Sequence, residues 1–140
     1  MIRKDLLVRQ FEEFGKFLAI LFGMKSNYRW LELVKLIDES SQKYTSLEIN
    51  FVEKLKDDSL MHYLVVEKKL KEVQLKMLGD LLYEKGIAYT KMFKEEEGRN
   101  AFIKSQIIFT YIKNNSLEID FSLDMHFKME AIEQLINKPS

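Results

Sequence analysis

Apolar side chains recur along this chain at intervals of three and four residues, the spacing that lines one face of an α-helix. Over residues 2–22 the stripe runs through Leu7, Phe11, Phe14, Leu18 and Leu21, and Gly23 stands where such a helix would stop. Leu6, Val8, Phe17, Ile20 and Phe22 widen this face beyond a narrow seam, so the first helix is expected to be deeply buried or covered by a second surface. A second helix is predicted over about residues 27–44, through Trp30, Leu33, Val34 and Ile37. The short connection makes it antiparallel to the first. Thr45 and Glu48 have the spacing of a capping box ahead of Ile49, Val52 and Leu55. Asp57, Asp58 and Ser59 offer caps for another brief helix bearing Leu60, Met61 and Leu64.

A long helix is predicted over residues 67–93, with Leu70, Val73, Met77, Leu81, Tyr83 and Ile87 as its stripe. Residues 94–97 with Gly98 read as a turn. Phe102, Ser105, Ile108, Phe109 and Ile112 support a further helix to about residue 113, where Asn114, Asn115 and Ser116 break the pattern. Strict alternation appears through Leu117, Ile119, Phe121, Leu123 and Met125, but it has no partner strand. Residues 117–121 are therefore expected to be an extended lead-in. Ser122 and Asp124 then start a last helix carrying Met125, Met129, Ile132 and Ile136. The expected fold is all-α, one domain over residues 1–140, with about five main helices and two short ones.

Two helix pairs joined by short turns resemble tetratricopeptide repeats, in which small residues let paired helices approach. Leu82, Gly86, Tyr89, Gly98, Phe102 and Ser105 occur at the spacing of that repeat's large, small, aromatic, small, aromatic and small positions. Lys85 stands where the repeat prefers a large apolar residue, and Thr110 where it often has proline. In the first pair, Gly15 and Leu18, then Trp30, Leu33, Ile37 and Ser40, follow the pattern after an insertion around residues 23–26. The opening Met1-Ile2-Arg3-Lys4-Asp5, with Arg9-Gln10 and Glu12-Glu13 behind it and the later Leu36-Ile37-Asp38-Glu39-Ser40, is similar to a family of short bacterial helical proteins. That resemblance implies antiparallel hairpins stacked in a tetratricopeptide-like right-handed array and a bacterial cytoplasmic setting. It carries no activity.

Composition narrows the chemistry. The 140 residues hold 22 Lys and Arg against 22 Asp and Glu, so no net field favours a polyanion, and nucleic acid is not an expected partner. The absence of cysteine excludes disulfides, thiol catalysis, zinc ribbons and iron–sulfur clusters. The longest mostly apolar run, residues 17–24, falls short of the roughly 20 residues that cross a bilayer. No continuous apolar segment follows Arg3 and Lys4, so a cytoplasmic location is expected.

Phosphate-cradling glycine loops and a helical zinc-protease motif lack their minimum residues. His126 and Glu130 lie one turn apart, but two ligands fall short of the four a structural zinc site wants, so no metal or other cofactor is expected. Glu12 beside Glu13, and the run at residues 95–97, read as solvated positions because adjacent residues do not share a helix face. Ser40, Ser41, Ser59 and Ser105 lack a nucleophile-elbow context. Lys68, Lys69, Lys71 and Lys76 are diluted by Glu67 and Glu72. No catalytic residue is assigned, and the chain is not expected to be an enzyme.

The function expected first is a helical scaffold that binds a protein or peptide on a concave face. In the repeat register that face is lined by Arg9, Glu12 and Lys16 on the first helix and by Asp80, Tyr83, Ile87, Thr90 and Lys91 on the long one. The alternatives are a homodimer through the apolar surplus of the first helix, or peripheral membrane association through Phe14, Phe17, Leu18, Leu21 and Phe22, which Glu12 and Glu13 oppose. Met125, Met129, Ile132 and Ile136 raise a further expectation, that the last helix fills the inner face.

Overall fold

In a computed structural model, which describes residues 2–115 and 122–137, seven α-helices lie among the described residues, with no strand. They are α1 (Ile2–Ser26), α2 (Trp30–Thr45), α3 (Ile49–Lys54), α4 (Asp57–Met61), α5 (Glu72–Lys91), α6 (Glu95–Asn115) and α7 (Leu123–Ile136). Five are substantial and two short, as the periodicity predicts. The lead-in expected at 117–121 lies outside the described residues.

Several boundaries differ from the sequence reading, each for a local reason. Helix α1 passes through Gly23 to Ser26, and its stop is made by Tyr28 in the left-handed region at φ 58°. The Arg29 amide donates to Met24 O and the Tyr28 amide to Lys25 O, the paired bonds of a Schellman motif. The capping box at Thr45 and Glu48 does not form. Thr45 is the buried last residue of α2, and its hydroxyl donates back to Ser41 O at 2.7 Å. Ser41 Oγ instead accepts the first amide of α3, from Ile49, at 3.1 Å. The long helix begins at Glu72 rather than near residue 67. Helix α4 runs on as a π-helical turn, His62–Glu67, and Lys69 at φ 52° breaks the chain before α5 starts. Residues 95–97 are not a turn but the first turn of α6, where three glutamates face the positive end of the helix dipole. Ser122 caps α7 as expected, accepting the Met125 amide at 3.2 Å.

Helices α5 and α6 form the largest interface in the molecule, an antiparallel hairpin closed by glycine. A Cβ on Gly86 would lie 2.6 Å from the Phe102 ring, and one on Gly79 2.6 Å from the Phe109 ring. A Cβ on Gly98 would lie 2.7 Å from Thr90 Oγ1, and Ser105 Oγ donates to Gly79 O at 2.7 Å. Only hydrogen fits at these three positions, so the two backbones approach closely. Helix α5 is the hub. Val73, Leu75, Met77, Leu78, Leu81, Leu82 and Ala88 are buried on it, and it meets α6, α2 and α1. Helix α7 packs on α6 through buried Met125 and Ile132, and its end is held where Arg99 donates to Ile136 O at 2.6 Å.

Candidate functional site

The face predicted on α5 is largely covered. Asp80 does not line an open surface: it is fully buried, with Oδ2 2.6 Å from Lys76 Nζ and Oδ1 2.8 Å from Lys128 Nζ of α7. Lys128 also lies over the Tyr83 ring, 5.5 Å from its centroid, which leaves Tyr83 half-buried. The last helix thus occupies the lower part of this face. Ile87 and Thr90 are half-buried, with the Thr90 hydroxyl donating to Gly86 O, and Lys91 is exposed. Arg9, Glu12 and Lys16 are exposed together on α1. Of the predicted lining, Asp80 is thus buried and the α1 trio exposed.

The interior of the hub holds charges that periodicity alone does not disclose. Lys85 is fully buried, and its Nζ donates to Asp38 Oδ1 of α2 at 2.6 Å, Glu53 Oε2 of α3 at 2.8 Å and Asn50 Oδ1 at 3.2 Å. Buried Glu84 forms an ion pair with Lys25 of α1, 2.7 Å away. Buried Lys104 of α6 donates to Asp57 Oδ1 of α4 at 2.8 Å. Each buried charge of the α5–α6 hairpin meets its opposite on another helix.

The balance of forces is visible in the ionisation of these groups. Burial works to lower the pKa of Lys85, but Glu53 and Asp38 outweigh it and hold the ammonium above the ordinary lysine value. Lys128 follows the same logic between Asp80 and Asp124. Burial pushes the Glu53 carboxyl up, against the pull of Lys85. Burial likewise raises the phenols of Tyr83 and Tyr89.

A shallow cleft of about 450 Å³, lined by Asn50, Glu53, Lys54, Tyr89, Glu97 and Asn100, opens beside the Lys85 cluster. Its chemistry is that of held charge. A lysine that serves as base or nucleophile needs a lowered pKa, and Lys85 is shifted the other way. His126 Nε2 and Glu130 Oε1 do meet, at 3.1 Å, on the surface. Among the described residues, no group of three or more His, Cys, Asp or Glu side chains comes together as a metal site would require.

An uncovered apolar stripe lies on α1. Phe14, Phe17 and Leu21 are buried inward, with the Phe14 and Phe17 rings 5.3 and 5.1 Å from Tyr44 of α2. A second stripe, Val8, Phe11, Gly15, Leu18 and Phe22, follows the spacing three, four, three, four. Val8 is 50% exposed, Phe11 39% and Phe22 67%, while Leu18 is half-buried and packs against the chain's own core. Gly15 is exposed and has nothing within 4 Å of where a Cβ would stand. Sequence reasoning located the apolar surplus of α1 but not which stripe is left bare. The missing signal is the position of α2, which takes the stripe at Phe14, Phe17 and Leu21.

Comparison with protein-family models, curated proteins and solved structures finds no match to this chain.

Proposed function

We propose that this chain is a non-catalytic cytoplasmic scaffold that binds a protein or peptide, built on helix hairpins in a tetratricopeptide-like right-handed array. The observation that carries the reading is the second apolar stripe of α1, exposed at Val8, Phe11 and Phe22 while the buried charges of α5 and α6 join helices. An apolar stripe with a charged margin is the ordinary form of a protein contact surface. The binding face moves accordingly from α5 to α1, with Arg9, Glu12 and Lys16 at its rim and Ile87, Thr90 and Lys91 outside it. Close approach at Gly79, Gly86 and Gly98 supports the repeat-like hairpin. The resemblance to short bacterial helical proteins agrees with this setting, and among the described residues no helix is long and apolar enough to cross a membrane.

The test is retention of proteins from a lysate of the source cell on immobilised wild type and on a Phe11→Glu, Phe22→Glu variant, both shown to be helical by circular dichroism. The variant is expected to lose at least one protein that wild type retains. Identical lists overturn the reading.

A further inference from the structure

The bare stripe of α1 has the symmetry of a surface that pairs with itself. We infer that its partner is a second copy of this chain, docked antiparallel about a two-fold axis at Gly15; this rests on the reading of α1 as the contact face. An antiparallel pair centred on residue 15 sets position i of one copy against position 30 − i of the other. Val8 then faces Phe22 of the second copy, Phe11 faces its Ala19, and Gly15 faces Gly15. In these pairs large residues meet smaller ones, and the axis falls where the surface has no side chain; Leu18, packed against its own core, lies at the seam's edge opposite Glu12. Gly15 and Ala19, one turn apart and both exposed, give the notch that lets two helix backbones approach. Spacing of three and four over five positions is the repeat that keeps a helical seam against another helix.

Charge selects the direction. Glu12 and Lys16 flank the stripe on the same side and are both exposed. In the antiparallel pair each Glu12 lies within about 3 Å along the axis of the other copy's Lys16, since two residue steps rise that far. The pair forms twice. A parallel arrangement carries Glu12 and Lys16 of the two copies to opposite sides of the seam and forms neither pair. A lipid surface suits the stripe less well, because it prefers basic margins and Glu12 sits in this one.

Sedimentation equilibrium of the full chain over roughly 5 to 200 µM should show a monomer–dimer equilibrium. Phe22→Glu should weaken it by about 30-fold or more while helicity is kept, since it removes an aromatic anchor from both ends of the seam. Because the chain has no cysteine, single replacements report geometry cleanly. Under mild oxidation Gly15→Cys should form a disulfide dimer, and an equimolar mixture of Val8→Cys and Phe22→Cys should link to each other. Val8→Cys alone should not, its two copies being about 21 Å apart along the helices. A wild type that stays monomeric across the range overturns the inference. So does Val8→Cys linking to itself, or a monomer that sediments with anionic phosphatidylserine vesicles. A monomer whose lysate partners depend on Phe11 and Phe22 overturns the second copy while leaving the scaffold standing.

Discussion

Phe93 ends α5 at φ 62° with 89% of its surface in solvent, and Tyr28 ends α1 at φ 58° in the same manner. A left-handed backbone costs an ordinary L-residue roughly 1–2 kcal/mol, because Cβ crowds the following carbonyl. The position is fixed by the hydrogen bonds around it: the Lys94 amide donates to Tyr89 O at 2.8 Å and the Phe93 amide to Thr90 O at 3.1 Å. With 89% of its surface in solvent, the ring gains little packing to offset that cost. Phe93→Gly should therefore raise stability by about 1 kcal/mol, the relieved strain less the extra entropy glycine loses on folding. A higher urea midpoint at unchanged slope is the expected result. These stops were hidden in the sequence because glycine is the usual signal for a left-handed helix end, whereas here Tyr28, Ser46, Lys69 and Phe93 do that work.

At the scale of elements, Gly79, Gly86 and Gly98 serve contact instead of termination. Gly86 faces Phe102, a ring that is itself buried and packed edge-on to Tyr83 at 5.9 Å, so it has nowhere to swing. Gly86→Ala should cost about 1–2 kcal/mol, the strain of overpacking less the gain in helix propensity. Gly23→Ala, in a helix interior with nothing within 4 Å, should gain about 0.5–1 kcal/mol. Thermal denaturation of the two variants should move in opposite directions. This hairpin was legible because its signals are local: Gly86, Gly98, Phe102 and Ser105 were named from spacing, and all four lie in the α5–α6 contact. Lys85 was legible only as a misfit on an apolar position. Its partners Asp38, Asn50 and Glu53 lie 47, 35 and 32 residues away, beyond any periodic pattern.

At the scale of the whole molecule, those distant pairs decide how the outer helices are fixed to the hub. Lys85 ties α5 to α2 and α3, Glu84 ties it to α1, Asp80 ties it to α7, and Lys104 ties α6 to α4. Apolar packing supplies attraction without direction, whereas a buried ammonium accepts only a neighbour that brings its carboxylate to one place. Such pairs add little net stability when intact and cost much when half is removed. Lys85→Met should therefore destabilise the protein by about 3–5 kcal/mol at neutral pH, because it leaves Glu53 and Asp38 without their cation. The sign of the pH dependence follows from Glu53. Its folded pKa is raised, so the folded state holds that proton more tightly than the unfolded chain does. Its contribution is fully present below the ordinary carboxyl value of 4.5 and is lost as pH climbs through the higher folded value. Removing the cation raises that folded value further, so the deficit of Lys85→Met should shrink as pH falls from about 8 toward 5. In wild type the opposite limit is set by Lys85 and Lys128, both held above the ordinary 10.5. Their contribution is complete below 10.5 and is lost as pH rises through the folded values, so alkali should loosen wild type and leave Lys85→Met less affected. Urea midpoints of both proteins between pH 5 and 11 test this, and a deficit that stays constant across the range would contradict it.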